Sequence, residues 1–175
     1  MSDVERFYAD HRDGVFRYLR RVLGGSESAR DLTQEVFLRV SRAGVPEAGE
    51  AGRRAWVYQI ARNLALNHMR DGRRRPVSVA LVHTAVPATQ ELALALQDAI
   101  ADLPELDRHI FVLRETAGLS YQEIATTCEM PIEAVRSRLH RARQALRETL
   151  GYSLRLSEQR GVRCLDAGSA TRDHE

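Results

Sequence analysis

An all-α fold follows from three features of this sequence. Apolar residues recur at three- and four-residue spacing in one stretch after another. No run shows the convincing alternation of a strand. Glycines, prolines and serine-led caps punctuate the helical stretches. At 175 residues the chain can form one domain or two small ones.

Asp3 to about Leu23 is predicted helical, with Val4, Phe7, Tyr8, His11, Val15, Leu19 and Val22 on one face. Gly24-Gly25 breaks it. Ser28 and Asp31 offer an S-x-x-D cap to a second helix ending near Arg42. Its apolar side holds Leu32, Val36 and Val40, and its polar stripe holds Asp31, Gln34, Glu35 and Arg39. Ala43 to Gly52, with its glycines and Pro46, is predicted to be a loop. A third helix spans about Ala55 to Asp71, with Trp56, Ile60, Leu64 and Met69 as core candidates. Its other side carries Gln59, Arg62, Asn63, Asn67 and Arg70. Gly72 ends it, and Arg73-Arg74-Arg75-Pro76 opens a linker reaching about Thr89. Helices return from Gln90 to Leu103 and from Glu105 to about Ala117, the latter with Leu106, Ile110 and Leu113 on one face.

Gly118 to Leu150 reads as a helix-turn-helix. Ser120 and Glu123 form an S-x-x-E capping box, which satisfies two backbone N–H groups at a helix start. Ile124, Ala125 and Cys128 can face inward. Pro131 then suits the start of the next helix. There Ile132, Val135, Leu139, Ala142 and Leu146 form the buried stripe. The opposite face carries Ser137, His140, Arg141 and Gln144, with Arg136, Arg138 and Arg143 on its flanks. Short polar groups at the centre and guanidinium groups beside them suit the DNA major groove: the centre reads base edges and the flanks hold phosphates. The tail, Gly151 to Glu175, has balanced charge and few large apolar residues, and is expected to be a partly disordered extension.

The net charge is only +2, but it is unevenly spread. Arg53 to Arg75 is strongly basic, Pro76 to Asp107 has no Arg or Lys, and Ile132 to Arg147 is basic again. Local patches, not the net charge, decide binding to a polyanion. All 26 basic residues are arginine, so every phosphate contact can be a planar, multi-donor fork. Two cysteines, Cys128 and Cys164, exclude a disulfide framework and a cysteine-built zinc cluster. Cys128 reads as a small buried hydrophobe. No window is apolar enough to span a membrane and no signal peptide is evident, so a cytoplasmic location is the expectation. Without a phosphate loop, nucleophile elbow or His-x-x-x-His pair, no catalytic site, metal or cofactor is expected.

Three segments carry a family resemblance: Asp31 to Val40 (DLTQEVFLRV), Arg54 to Pro76 (RAWVYQIARNLALNHMRDGRRRP), and Leu103 to Ala125 with the arginine-rich helix after it. In order and spacing, from about Phe7 to Leu150, they resemble the extracytoplasmic-function sigma factors of bacterial RNA polymerase. The resemblance implies a region 2-like domain at 3–71, a flexible linker at 72–89, a region 4-like domain at 90–150 and an extension at 151–175. It implies that Asp31, Gln34, Glu35, Leu38 and Arg39 dock on the core polymerase. Asn63, Asn67, Arg70, Arg73, Arg74 and Tyr58 would take the minus-ten element as single strand. Asparagine amides can hold an exposed base, and arginines its phosphates. Arg136, Ser137, His140 and Arg141 fall on the family's contact positions for the minus-thirty-five element, with Arg138 and Arg143 beside them. Core RNA polymerase, promoter DNA and an anti-sigma factor are the implied partners, with no small-molecule substrate and no membrane insertion. Glu129 departs from the glycine frequent in the family's helix-turn-helix turn. Two other readings compete: a stand-alone helix-turn-helix regulator, which has no use for a single-strand reader, and a sigma mimic that sequesters an anti-sigma factor, which should lack the DNA-facing arginines kept here.

Overall fold

The computed structural model describes residues 3–72 and 88–166, with side chains from 93 to 151 in the second stretch. Among these residues there are seven helices: α1 (Asp3–Leu23), α2 (Ser26–Ala43), α3 (Glu50–Gly72), α4 (Ala88–Asp102), α5 (Glu105–Glu115), α6 (Tyr121–Cys128) and α7 (Ile132–Asp166). The all-helical expectation holds. The linker expected at 72–89 falls almost wholly on residues outside those described.

Helix α1 buries Phe7, His11, Val15, Leu19 and Val22 as its periodicity predicts, and Tyr18 with them. Gly24 ends it in the left-handed region (φ 71), its N–H donating to the Arg20 carbonyl. Helix α2 starts at Ser26, before the predicted Ser28 cap. Its N-cap is Gly25 in extended conformation, with no side-chain cap, and Ser28 sits inside the first turn. Helix α3 also starts early. Glu50 to Arg54 are helical rather than loop, and the Arg53 N–H donates to the Gly49 carbonyl. One glycine inside a helix costs only about 1 kcal/mol, so Gly52 does not stop it.

The buried face of α3 is only partly the predicted one: Leu64 is buried as expected, and the rest of the face is different. Ala55, Val57, Tyr58, Ala61, Leu64 and Ala65 are buried, whereas Trp56, Ile60 and Met69 pack partly buried against the core. The reason is that α3 is covered on two sides: α1 and α2 flank it, and α6 lies across it as well. Small residues let those backbones come close.

Helices α4 to α7 bury Ile100, Ile110, Leu113, Ile124, Val135, Leu139 and Leu146, with Leu103 and Leu119 from the connections between them. Helix α7 continues past Leu150 to Asp166, where a partly disordered extension is expected from Gly151 onward. Residues 152–166 contain no proline and enough leucine, arginine and glutamate to carry the helix through Gly161. Residues 167–175 lie outside those described.

The two helical halves share one continuous core and a polar seam. At the seam Arg54 of α3 forks onto Glu123 of α6, Nε to Oε1 at 2.7 Å and Nη2 to Oε2 at 2.8 Å. Gln59 donates to Glu129 at 2.6 Å, and the Thr127 hydroxyl donates to the Ala55 carbonyl at 3.2 Å. Tyr18 and His109, both fully buried, meet at 2.6 Å between α1 and α5. The direction of this bond follows the tautomer: with the imidazole proton on Nε2 the Tyr18 hydroxyl donates to Nδ1, and with it on Nδ1 the hydroxyl oxygen accepts. That Nε2, and Nε of Arg62, make no hydrogen bond among the described residues.

Candidate nucleic-acid and polymerase-docking surfaces

The recognition surface is built on the turn between α6 and α7. Ser120 Oγ accepts from the Glu123 N–H at 3.2 Å, and Glu123 Oε2 accepts from the Ser120 N–H at 2.7 Å. The predicted capping box is complete. Burial opposes the charge on Glu123, but hydrogen bonds from Arg54 and Ser120 outweigh it and hold the carboxyl down at about 2. Helix α6 ends at Glu129, which is left-handed (φ 54, ψ 49) and the one non-glycine with positive φ among the described residues. The Met130 N–H closes back on the Ala125 carbonyl at 3.0 Å. Glu129 thus takes the glycine-like conformation at a cost of about 1 kcal/mol. The Pro131 carbonyl then accepts from Ala134 and Val135, opening α7.

Val135, Leu139, Ala142 and Leu146 of α7 face the core, and Arg136, Ser137, His140, Arg141 and Gln144 are exposed together on the other side. Two predicted DNA contacts are placed otherwise. Arg138 is half-buried and bonds Asp107 of α5 at 2.7 Å, neutralising a carboxylate that is itself buried. Arg143 bonds Glu115 at 2.7 Å. Both arginines therefore brace α7 against α5 in this arrangement.

On α3, Asn63, Asn67 and Arg70 are exposed along one side, with Arg70 donating to Asn67 Oδ1 at 3.0 Å. Arg73 and Arg74 lie outside the described residues. Tyr58 does not join this surface. It is 3% exposed, its ring stands edge-on to Tyr18 at 5.6 Å, and burial pushes its phenol up to about 12. In this packing it is a core residue, not a stacking platform. Gly14 makes room for it: a Cβ there would lie 2.6 Å from the Tyr58 hydroxyl.

On α2, Asp31, Gln34, Leu38 and Arg39 are exposed and Glu35 is half-buried, with Arg39 paired to Glu35 at 2.9 Å. Leu38, 51% exposed, and Tyr8, 41% exposed, flank an apolar groove of about 460 Å³ between α1 and α2. Val4, Gln34 and Phe37 line it as well. The α1 half of this groove escapes the sequence reading, which places Tyr8 on the core face. Tyr8 instead stands edge-on to Phe37 at its rim.

Comparison with known proteins bears on these surfaces. Residues 7–75 match the model for sigma-70 region 2, and residues 93–146 that for sigma-70, region 4. The RNA polymerase sigma-H factor of Pseudomonas aeruginosa is 32% identical over 166 residues, covering 81% of this chain and 86% of its own length. The chain belongs to the extracytoplasmic-function sigma factors.

Its function is that of an RNA polymerase sigma factor, and the family is not enzymatic. The sigma-E factor of Escherichia coli is 36% identical over 134 residues, covering 66% of this chain and 70% of its own. SigE of Mycolicibacterium smegmatis is 35% identical over 86% of this chain, which spans 62% of that relative's length. In fold, this sigma factor is similar to RpoE of Bartonella quintana, solved with the anti-sigma factor NepR. The TM-score is 0.71, at 23% identity, over 86% of this chain and 98% of that one. CnrH, solved with the cytosolic domain of CnrY, gives 0.65 at 24% identity over 85% and 88%. Among the described residues no helix is long and apolar enough to cross a membrane, and no group of His, Cys, Asp and Glu could hold a metal ion. Cys128 is a buried thiol that burial pushes up to about 11, which makes it inert at neutral pH.

Sequence reasoning misses the seam. Arg54 sits in a basic run that reads as DNA-facing, and Glu123 already has an occupation in the capping box. No spacing rule pairs two residues 69 positions apart.

Proposed function

We propose that this sigma factor acts in the cytoplasm, docks on core polymerase through α2, takes the minus-ten strand on α3 and reads the minus-thirty-five duplex with α7. Residues 3–71 act as the docking and strand-reading unit and 90–150 as the duplex reader, with 72–89 joining them and 151–175 as an extension. The carrying observation is the exposed quartet Arg136, Ser137, His140 and Arg141 on a helix whose opposite stripe buries Val135, Leu139, Ala142 and Leu146 in the core. Its short central groups leave room for base edges, and its arginines supply bidentate donors.

Asn63 and Asn67 are exposed and would hydrogen-bond an unstacked base, and Arg70, exposed beside its bond to Asn67, would meet its phosphate. Arg73 and Arg74 extend that basic line in sequence. Asp31, Gln34, Glu35, Leu38 and Arg39 would contact polymerase, the groove beside Leu38 adding apolar area. An anti-sigma factor is a further partner, by analogy with the Bartonella complex. The exposed arginines of α7 favour this reading over a mimic that only sequesters a regulator.

The test is transcription by the purified chain with bacterial core polymerase on templates with randomised upstream DNA. Enrichment of two short motifs at fixed spacing among the transcribed templates is the expected result. No transcript above core polymerase alone, while a control factor works on the same polymerase, would overturn it.

A further inference from the structure

Two carboxylates of α5 each take an arginine from a flank of α7, and the two pairs differ in kind. Asp107 lies in the first turn of α5, and its side chain is only 8% exposed. Glu115 is the last residue of α5, and its side chain is 44% exposed. The positive end of the helix dipole favours the carboxylate of Asp107, whereas the negative end disfavours that of Glu115. Parting Asp107 from Arg138 would leave a buried carboxylate uncompensated, which is strongly destabilising. Parting Glu115 from Arg143 returns both groups to water at little cost.

Val135, Leu139, Ala142 and Leu146 of α7 are buried in the apolar core. Apolar burial is non-directional. It fixes which face of α7 turns inward, but small rolls of the helix cost it little. A buried ion pair is less tolerant, because its charges must stay matched in distance and direction. Arg138 follows Ser137 directly and lies one turn before Arg141, so its bond to Asp107 sits at the level of the residues read as base contacts. A group about 5–6 Å from the helix axis moves by about 1 Å when the helix rolls by about 10°. A shift of that size takes a hydrogen bond on a base edge out of range. Attraction between arginine and phosphate, being largely Coulombic, survives it.

We propose that Asp107 is a positioning residue for promoter reading: its bond to Arg138 fixes the roll of α7 in the groove, so discrimination at the minus-thirty-five element depends on a carboxylate that does not touch DNA. Arg138 serves α5, and Arg143 remains available to phosphate. This deepens the reading of α7 given above and rests on it.

The test uses the full chain assembled with core polymerase. The promoter duplexes share one minus-ten element and carry either the upstream element enriched in the transcription screen or a mismatched one. Asp107→Ala removes the strut without stranding a buried acid, and Asp107→Asn, close in size to aspartate, is the second variant. Glu115→Gln breaks the exposed pair, and Arg138→Lys keeps the buried one. Circular dichroism and thermal melts set a temperature at which every variant is fully folded, and binding is measured there, so that a loss of stability alone leaves binding unchanged. Asp107→Ala should weaken binding to the matched duplex severalfold, with the mismatched duplex and the salt slope as in wild type. Asp107→Asn should show the same loss, smaller in size. Glu115→Gln should tighten binding to both duplexes alike, and Arg138→Lys should keep the wild-type ratio between them. An unchanged ratio in both Asp107 variants overturns the proposal. So does a uniform gain in affinity with a salt slope steeper by about one, because the released Arg138 would then be a phosphate contact. A fall in the ratio for Glu115→Gln equal to that for Asp107→Ala overturns it as well, since the buried pair would have no part of its own. In each of these cases, discrimination lost on Arg141→Ala shows that the reading of α7 itself still stands.

Discussion

At the scale of single residues, the arginines of α7 divide by what they touch. Arg138 and Arg143 are paired to Asp107 and Glu115, whereas Arg136 and Arg141 are exposed with no acid held against them among the described residues. Sequence periodicity places all four on one side or its flanks, because 100° steps resolve a face and not a partner. The carboxylates that claim two of them lie 31 and 28 positions away. Arg141 is therefore the sharper probe of recognition. If its fork reads a base, Arg141→Ala costs about 1–3 kcal/mol of binding to the matched upstream element and little on a mismatched one. A uniform loss across sequences, with a shallower salt slope, would make it a phosphate contact. Binding to matched and mismatched duplexes at two salt concentrations separates the two, and an unaffected affinity in both would remove Arg141 from the recognition face.

At the scale of elements, close approach decides what the sequence hides. The existence and order of the helices are legible, because each carries its own apolar stripe and its own stop signal. The face of α3 is not, since alanines and Tyr58 define it only once α1 and α6 close on either side. Gly14 records that approach. Its missing Cβ accommodates the Tyr58 hydroxyl, and the buried Tyr58 ring is packed edge-on against Tyr18. Gly14→Ala should gain up to about 1 kcal/mol of helix propensity and lose about 1–3 kcal/mol to overpacking, a net destabilisation. In a Tyr58→Phe background the clashing oxygen is gone, and the same substitution should become neutral or stabilising. A double-mutant cycle by chemical denaturation reads the reversal of sign. Equal effects in both backgrounds would mean that α1 and α3 do not meet as described.

At the scale of the whole molecule, the two halves are joined through groups whose protonation matters, and none of that is visible from periodicity. His109 counts as one more residue between Leu106 and Leu113 until Tyr18, 91 positions away, closes on it. Burial, with the positive charges of Arg62 and Arg108, lowers its pKa from 6.5 to about 3. The folded chain therefore holds His109 neutral while the unfolded chain protonates it below about 6.5. Between those values the unfolded state binds the extra proton, so stability rises with pH in this window. The contribution is complete above about 6.5 and is lost as pH falls towards 3, by up to about 1.4 kcal/mol per pH unit. Glu123, held down from 4.5 to about 2, adds its own loss as pH falls between those two values. His11, lowered by burial against the raising effect of Glu50, has the same sign as His109. Comparing His109→Asn with wild type isolates the seam from both. The asparagine can still accept from Tyr18, so the variant should be less stable at neutral pH yet show a flatter stability profile between about pH 4.5 and 6.5. Parallel profiles from denaturant titrations across that range would show that His109 is not buried neutral between the halves. The closed arrangement of this sigma factor would then lose one of the bonds that define it.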